Sequence, residues 1–133
     1  MTPKAKALTL MQKLVRLKGA DDDGYCTCVT CGKVDHWKAM QGGHFIPKGA
    51  SSYHALEEYN IWPQCPGCNG FGMRYGSAMI HYTNFMNDYF GRDFVEQMLL
   101  DKNKIKKRYK KDYLELIEDC QRQIKENLAR IDG

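Results

Sequence analysis

The sequence predicts an α+β protein: a small short-stranded core stapled by paired cysteines, with a helix before it and helices after it. Three observations carry this. Apolar residues recur at helical spacing near the N-terminus and again from residue 74 onward. Two Cys-x2-Cys pairs, Cys28 with Cys31 and Cys65 with Cys68, bracket a glycine- and histidine-bearing middle. The length, 133 residues with 43% hydrophobic content, provides for one modest core.

The elements follow in order. Leu8, Met11, Leu14, Val15 and Leu17 give residues 4–18 an apolar stripe, and Gly19 with Asp21-Asp22-Asp23-Gly24 ends that helix. Residues 25–34 form a first metal knuckle. Trp37 to Pro47 reads as a strand or hairpin in which Gly42-Gly43 allows a bend or bulge. Residues 48–59 form a loop with a helical turn around Ala55 to Tyr59. The second knuckle, 64–70, leads into a helix broken early by Gly70 and Gly72. Helices are expected over 74–90, 92–101 and 103–131, with Gly91 capping the first. The division is a core over 1–101 and a basic, amphipathic C-terminal region over 102–133.

No apolar run reaches the roughly 20 residues of a membrane span. The N-terminus lacks a signal-peptide core, so a soluble, intracellular protein is expected. Six cysteines in such a chain read as metal ligands before disulfides. Each Cys-x2-Cys pair supplies two thiolates about 2.3 Å from a zinc ion, and two pairs close a tetrahedral structural site. Cys26 is an alternative to Cys28 at a less usual spacing, and Cys120 reads as a buried small apolar residue. Structural zinc contributes on the order of 10–16 kcal/mol in small zinc peptides. That rivals the roughly 5–15 kcal/mol of a whole domain. The middle of the chain is expected to unfold without it.

The net charge of +4 is unevenly spread. Residues 1–18 carry five basic groups and no acid, while 19–101 carry five basic and ten acidic. Residues 102–111 carry seven basic groups and no acid. Cations concentrated on both sides of an acidic middle suit a polyanion held at the edges of a site. Two solvated helix faces would give the same pattern.

Between and beside the cysteine pairs lie Gly42-Gly43-His44-Phe45, then Glu58-Tyr59-Asn60-Ile61, then Cys68-Asn69. Phosphodiester hydrolysis needs a base for water, and neutral imidazole with an ordinary pKa of about 6.5 serves at pH 7. The imidazole needs a fixed orientation, a task for a polar group or carbonyl near Asn60. A divalent cation then stabilises the phosphate and the leaving oxygen, and the Asn69 amide oxygen suits a hard ion. Histidine, asparagine and a ligand at a helix start, tied by zinc, is the order of an HNH nuclease motif.

Several segments together resemble the lambdoid-phage NinG family, also called Rap, within the HNH superfamily. They are Cys28-Val29-Thr30-Cys31-Gly32, Gly43-His44-Phe45, Gly49-Ala50, Glu58-x-Asn60 and Gln64-Cys65-x2-Cys68-Asn69, preceded by Leu14-Val15-Arg16-Leu17. The resemblance spans roughly residues 8–95. It implies a zinc-stapled ββα-metal (HNH) nuclease core and metal-dependent cutting of branched recombination intermediates such as Holliday junctions and D-loops. It also implies a phage-encoded protein in the cytoplasm of a bacterial host, with recombination proteins as possible partners. The knuckle arrangement is similar to that of phage T4 endonuclease VII.

On this reading His44 is the general base, Asn60 its positioning partner and Asn69 a Mg²⁺ or Mn²⁺ ligand. Gly43 departs from many HNH enzymes, which carry an acidic residue or second histidine there. Glu58 is the first candidate to complete the ion's shell, followed by His54, Asp35 and Gln41. Asparagine at the last motif position favours Mg²⁺ or Mn²⁺ over catalytic zinc. Plainer roles compete: a partly exposed histidine at 44, a turn cap at Asn60, a helix N-cap at Asn69. His36 reads as solvated, His81 is a lesser candidate for substrate contact, and Trp37, Phe45 and Trp62 read as packing.

DNA contacts are expected from Lys48 and Arg74 near the motif. They are also expected from Lys102, Lys104, Lys106, Lys107, Arg108, Lys110 and Lys111 spread round a helix. Neutralising roughly six phosphates gives a log–log salt slope near −5. Tyr113, Ile117, Cys120, Ile124, Leu128 and Ile131 recur at helical spacing. They form a stripe for a homodimer matched to a two-fold junction or for the protein's own core. Two other functions stay open: a zinc-stabilised DNA-binding recombination factor without catalysis, and an HNH nuclease of linear duplex.

Overall fold

The structure is a computed structural model and describes residues 1–132. Helix α1 (Pro3–Lys18) begins where the Thr2 hydroxyl accepts the Ala5 amide at 3.1 Å and Pro3 takes a first-turn position that needs no donor. Its buried face, Ala7, Met11, Leu14, Val15 and Leu17, is the expected stripe with Ala7 in place of Leu8, which is only half-buried. It packs on α5 (Lys110–Asp132), which runs parallel to it, with Ile117 beside Ala7 and Arg130 beside Leu17.

Two small antiparallel sheets follow. β1 (Tyr25–Thr27) pairs with β2 (Val34–His36) around the first cysteine pair. β3 (Gln41–His44) pairs with β4 (Ile61–Gln64), with His44 opposite Ile61 and Gln41 opposite Gln64. The pairing through Gly42 and Gly43 is regular, so the glycines make no bulge. They permit close approach instead. A Cβ on Gly42 would lie 2.8 Å from the Gln12 backbone of α1, and one on Gly43 would lie 1.8 Å from Gln64 Oε1.

After the second cysteine pair a π-helical turn, Cys68–Gly72, leads into α2 (Met73–Tyr75). The chain breaks at Gly76 and Ser77 before α3 (Ala78–Phe90), so the helix expected over 74–90 is two pieces. Gly91, at φ +90°, turns the chain into α4 (Arg92–Asp101) as expected.

The helix expected from residue 103 begins only at Lys110. A run of like charges disfavours a helix there, and the segment finds partners in an irregular path. Lys104 pairs with Asp101 at 2.7 Å, and Lys106 and Arg108 converge on Glu57. The Arg108 guanidinium also donates to the Ser52 carbonyl at 2.9 Å. The cations are therefore not spread round a helix, and residues 102–109 form a strap over the loop that precedes β4.

One apolar cluster joins α1, the cysteine-bearing turns, Trp37, Ile61 and the Cys120–Ile124 face of α5. Another joins Phe45 and Ile46 to Tyr82, Met86, Val95 and Met98. The stripe on α5 is thus covered by α1 within the chain. Arg130 locks the pair by donating to the Leu17 and Ala20 carbonyls, each at 3.0 Å, and by pairing with Asp22. No helix among the described residues is long and apolar enough to cross a membrane.

Candidate active site and metal centre

The sulfurs of Cys28, Cys31, Cys65 and Cys68 lie within 4.8 Å of one another. Tetrahedral sulfurs about 2.3 Å from zinc stand about 3.8 Å apart, and Cys31 Sγ is 3.7 Å from Cys65 Sγ. The four cysteines are close enough to hold a metal such as zinc. Burial opposes ionisation of Cys28, yet the Thr30 hydroxyl at 3.2 Å and nearby amides outweigh it and bring this thiol down to about 6. Cys68 is pushed up to about 12, first by burial. Four sulfurs in so small a volume need a cation to ionise together. Cys26 and Cys120 lie in the apolar core instead, each pushed up by burial to about 11. Cys26 does not replace Cys28 in the cluster, and no disulfide is present among the described residues.

His44 ends β3 and lines a cleft of about 740 Å³ with Gln12, Lys48, Asn69, Phe71, Arg74 and Tyr75. Its Nε2 lies 2.9 Å from the Ala55 carbonyl. A carbonyl only accepts, so Nε2 carries the proton and the neutral ring keeps its lone pair on Nδ1. Nδ1 has no hydrogen-bond partner among the described residues. Burial first, and then the Lys48 charge, hold this imidazole below its ordinary pKa of 6.5 against the opposing Ala55 bond.

Asn60, fully buried, fixes the loop that carries Ala55. Its amide donates to the Ile46 carbonyl at 2.9 Å and the His54 carbonyl at 3.2 Å, and its oxygen accepts the Ile46 amide at 2.9 Å. His54 is buried in the same support, bonded to the Tyr59 hydroxyl and the Met98 carbonyl, each at 2.7 Å. It faces neither cleft nor metal centre.

Asn69 lies on the π-helical turn, not at a helix N-cap, and its amide donates to Gln41 Oε1 at 2.8 Å. That bond turns Asn69 Oδ1 towards Gly43, 2.9 Å from where a Cβ would sit. Gln64 Oε1 occupies the rest of that space, fully buried and without a hydrogen-bond partner. The other end of Gln64 donates to Thr30 at 3.3 Å, which links the cleft to the cysteine cluster. Tyr82 donates to the Gly43 carbonyl at 2.7 Å from below. Sequence reading gave no role to Gln64 or Tyr82, because their burial comes from long-range packing.

Glu58 is not in the cleft: its carboxylate pairs with Lys18 on the far side of the sheet. Asp35 faces Lys33 on the first hairpin. His81 lines a separate hollow beside Cys31 and Cys68. Lys48 and Arg74 do flank His44. Of the C-terminal cations, Lys104, Lys106, Arg108 and Lys111 are engaged with carboxylates, whereas Lys102, Lys107 and Lys110 make no ion pair among the described residues. No carboxylate lines the cleft among the described residues.

Fold and site together define a small α+β protein with a four-cysteine cluster capable of holding a metal, beside a cationic cleft built on one histidine. The family model described as Bacteriophage Lambda NinG protein matches residues 4–130, and the chain belongs to that family. A search of curated proteins found no match, and a search of solved structures found none.

Proposed function

We propose that the chain is a metal-dependent HNH-type endonuclease that cuts branched DNA recombination intermediates in the host cytoplasm. The observation that carries this reading is the fixed tautomer of His44. Ala55 holds the Nε2 proton and leaves Nδ1 as a free base in a cleft lined by Lys48, Arg74 and Asn69. Nδ1 takes the proton of a water, the water oxygen bonds to phosphorus, and the bond to the leaving oxygen breaks. Lys48 and Arg74 hold the phosphate. A Mg²⁺ or Mn²⁺ ion in this cleft would supply charge stabilisation at the phosphate and leaving oxygen. Asn69, in the same cleft, would offer its Oδ1 to such an ion. Zinc held by Cys28, Cys31, Cys65 and Cys68 would serve as a structural staple.

A second reading, a DNA-binding recombination factor without catalysis, draws support from the cleft's lack of a carboxylate and from the closed space at Gly43. The test is cleavage of a labelled four-way junction beside a linear duplex of matched sequence, in Mg²⁺ and Mn²⁺. Junction-selective nicking supports the nuclease. Tight binding to the junction without cutting in either ion establishes the binding factor instead, and equal cutting of both DNAs makes it a duplex nuclease.

A further inference from the structure

Phe71 and Tyr75 are each 72% exposed, more than any other aromatic side chain among the described residues. Their rings lie 5.2 Å apart, and both line the same cleft as His44 and Asn69. Phe71 sits on the π-helical turn that starts at Cys68, and Tyr75 ends α2, so the cysteine cluster anchors the pair. Arg74 stands between them in sequence, and Lys48 lines the same cleft. An exposed aromatic pair with cations beside it has the chemistry that binds a nucleobase whose phosphates are held nearby.

We propose that Phe71 and Tyr75 form a stacking platform for an unstacked base at the DNA branch point, and that this platform sets the preference for branched over linear DNA. This rests on the reading of the cleft as a DNA site. In a linear duplex the base faces are covered by their neighbours, and exposing one costs a few kcal/mol of stacking and pairing. At a branch that cost falls, so the rings gain a partner there that intact duplex withholds. Specificity is this difference between two affinities. Lys48 and Arg74 act on phosphates present in both DNAs and strengthen both alike.

The test uses the full chain with Ca²⁺ in place of Mg²⁺, an immobile four-way junction and a linear duplex of the same sequence. Titrations compare wild type, Phe71→Ala with Tyr75→Ala, and Phe71→Trp. The double alanine variant should lower the junction-to-duplex affinity ratio about tenfold and leave duplex affinity within about twofold, while Phe71→Trp keeps the wild-type ratio. A junction-preferring wild type whose double variant keeps the full ratio overturns the proposal. So does an unchanged ratio with altered sedimentation, which makes the pair a contact between copies of the chain. A wild type without junction preference overturns the functional reading itself, and the platform with it.

Discussion

At His44 the deciding contact is one backbone carbonyl. The Ala55 oxygen fixes which nitrogen bears the proton, and Asn60 fixes Ala55 through the loop it ties down. Because burial and Lys48 hold the imidazole below 6.5, the unprotonated base persists into mildly acidic solution. Cleavage should keep its rate down to about pH 6.5 and fall only as pH drops through the lowered pKa. Lys48→Gln removes a repelling charge and should move that acid limb upward. A pH–rate profile decides, and a wild-type limb above 6.5 contradicts the assignment. Gly43 gives a second prediction. Gly43→Asp places a side chain against Gln64 Oε1, so it should cost about 1–3 kcal/mol of stability and supply no ion ligand. Thermal melts with and without Mn²⁺ test this, and an unchanged midpoint that rises with Mn²⁺ speaks against it. The sequence pointed to His44 and Asn69, which line one cleft, and also to Glu58, which pairs with Lys18 elsewhere. The reason for Gly43 was not legible there, because it depends on a glutamine arriving from the neighbouring strand.

Among the elements, the four-cysteine cluster is what joins the two hairpin-like sheets to the helices. Removing its metal with a strong chelator should take away on the order of 10 kcal/mol and leave the middle of the chain unfolded. Circular dichroism melts before and after chelation measure this, and an unaltered melt means the cluster carries no structural metal. The α1–α5 pair is the other support. Leu14→Ala, at a fully buried position, should cost about 2–5 kcal/mol in urea titrations. The sequence showed α1 and α4 nearly to their ends because periodicity and caps agree there. It misplaced the start of α5, since the local pattern over 102–109 looks helical and only the distant Glu57 and Ser52 draw that segment into a strap. The short strands β1, β2 and β4 were not separable from the knuckles, each being three or four residues long.

For the whole molecule, the strap would change where DNA is met on the proposed reading. With Lys104, Lys106, Arg108 and Lys111 bound to carboxylates, the contacts move towards Lys48, Arg74, Lys102, Lys107 and Lys110. Binding of about five phosphates gives a log–log salt slope near −4.5. A slope shallower than about −2 in filter-binding or anisotropy titrations contradicts that surface. The expected homodimer, which suits two cuts on a two-fold junction, needs a surface other than the α5 stripe that α1 covers. On the proposed reading, one free imidazole nitrogen does the cutting in a cleft that binds branched DNA without it. The most direct measurement pairs affinity and cleavage of a labelled four-way junction for wild type and His44→Ala in Mg²⁺. Affinity should stay within a few-fold of wild type while cleavage falls by about 10²–10⁴-fold, the scale of a general base. Cleavage that survives the substitution at comparable rate contradicts that reading.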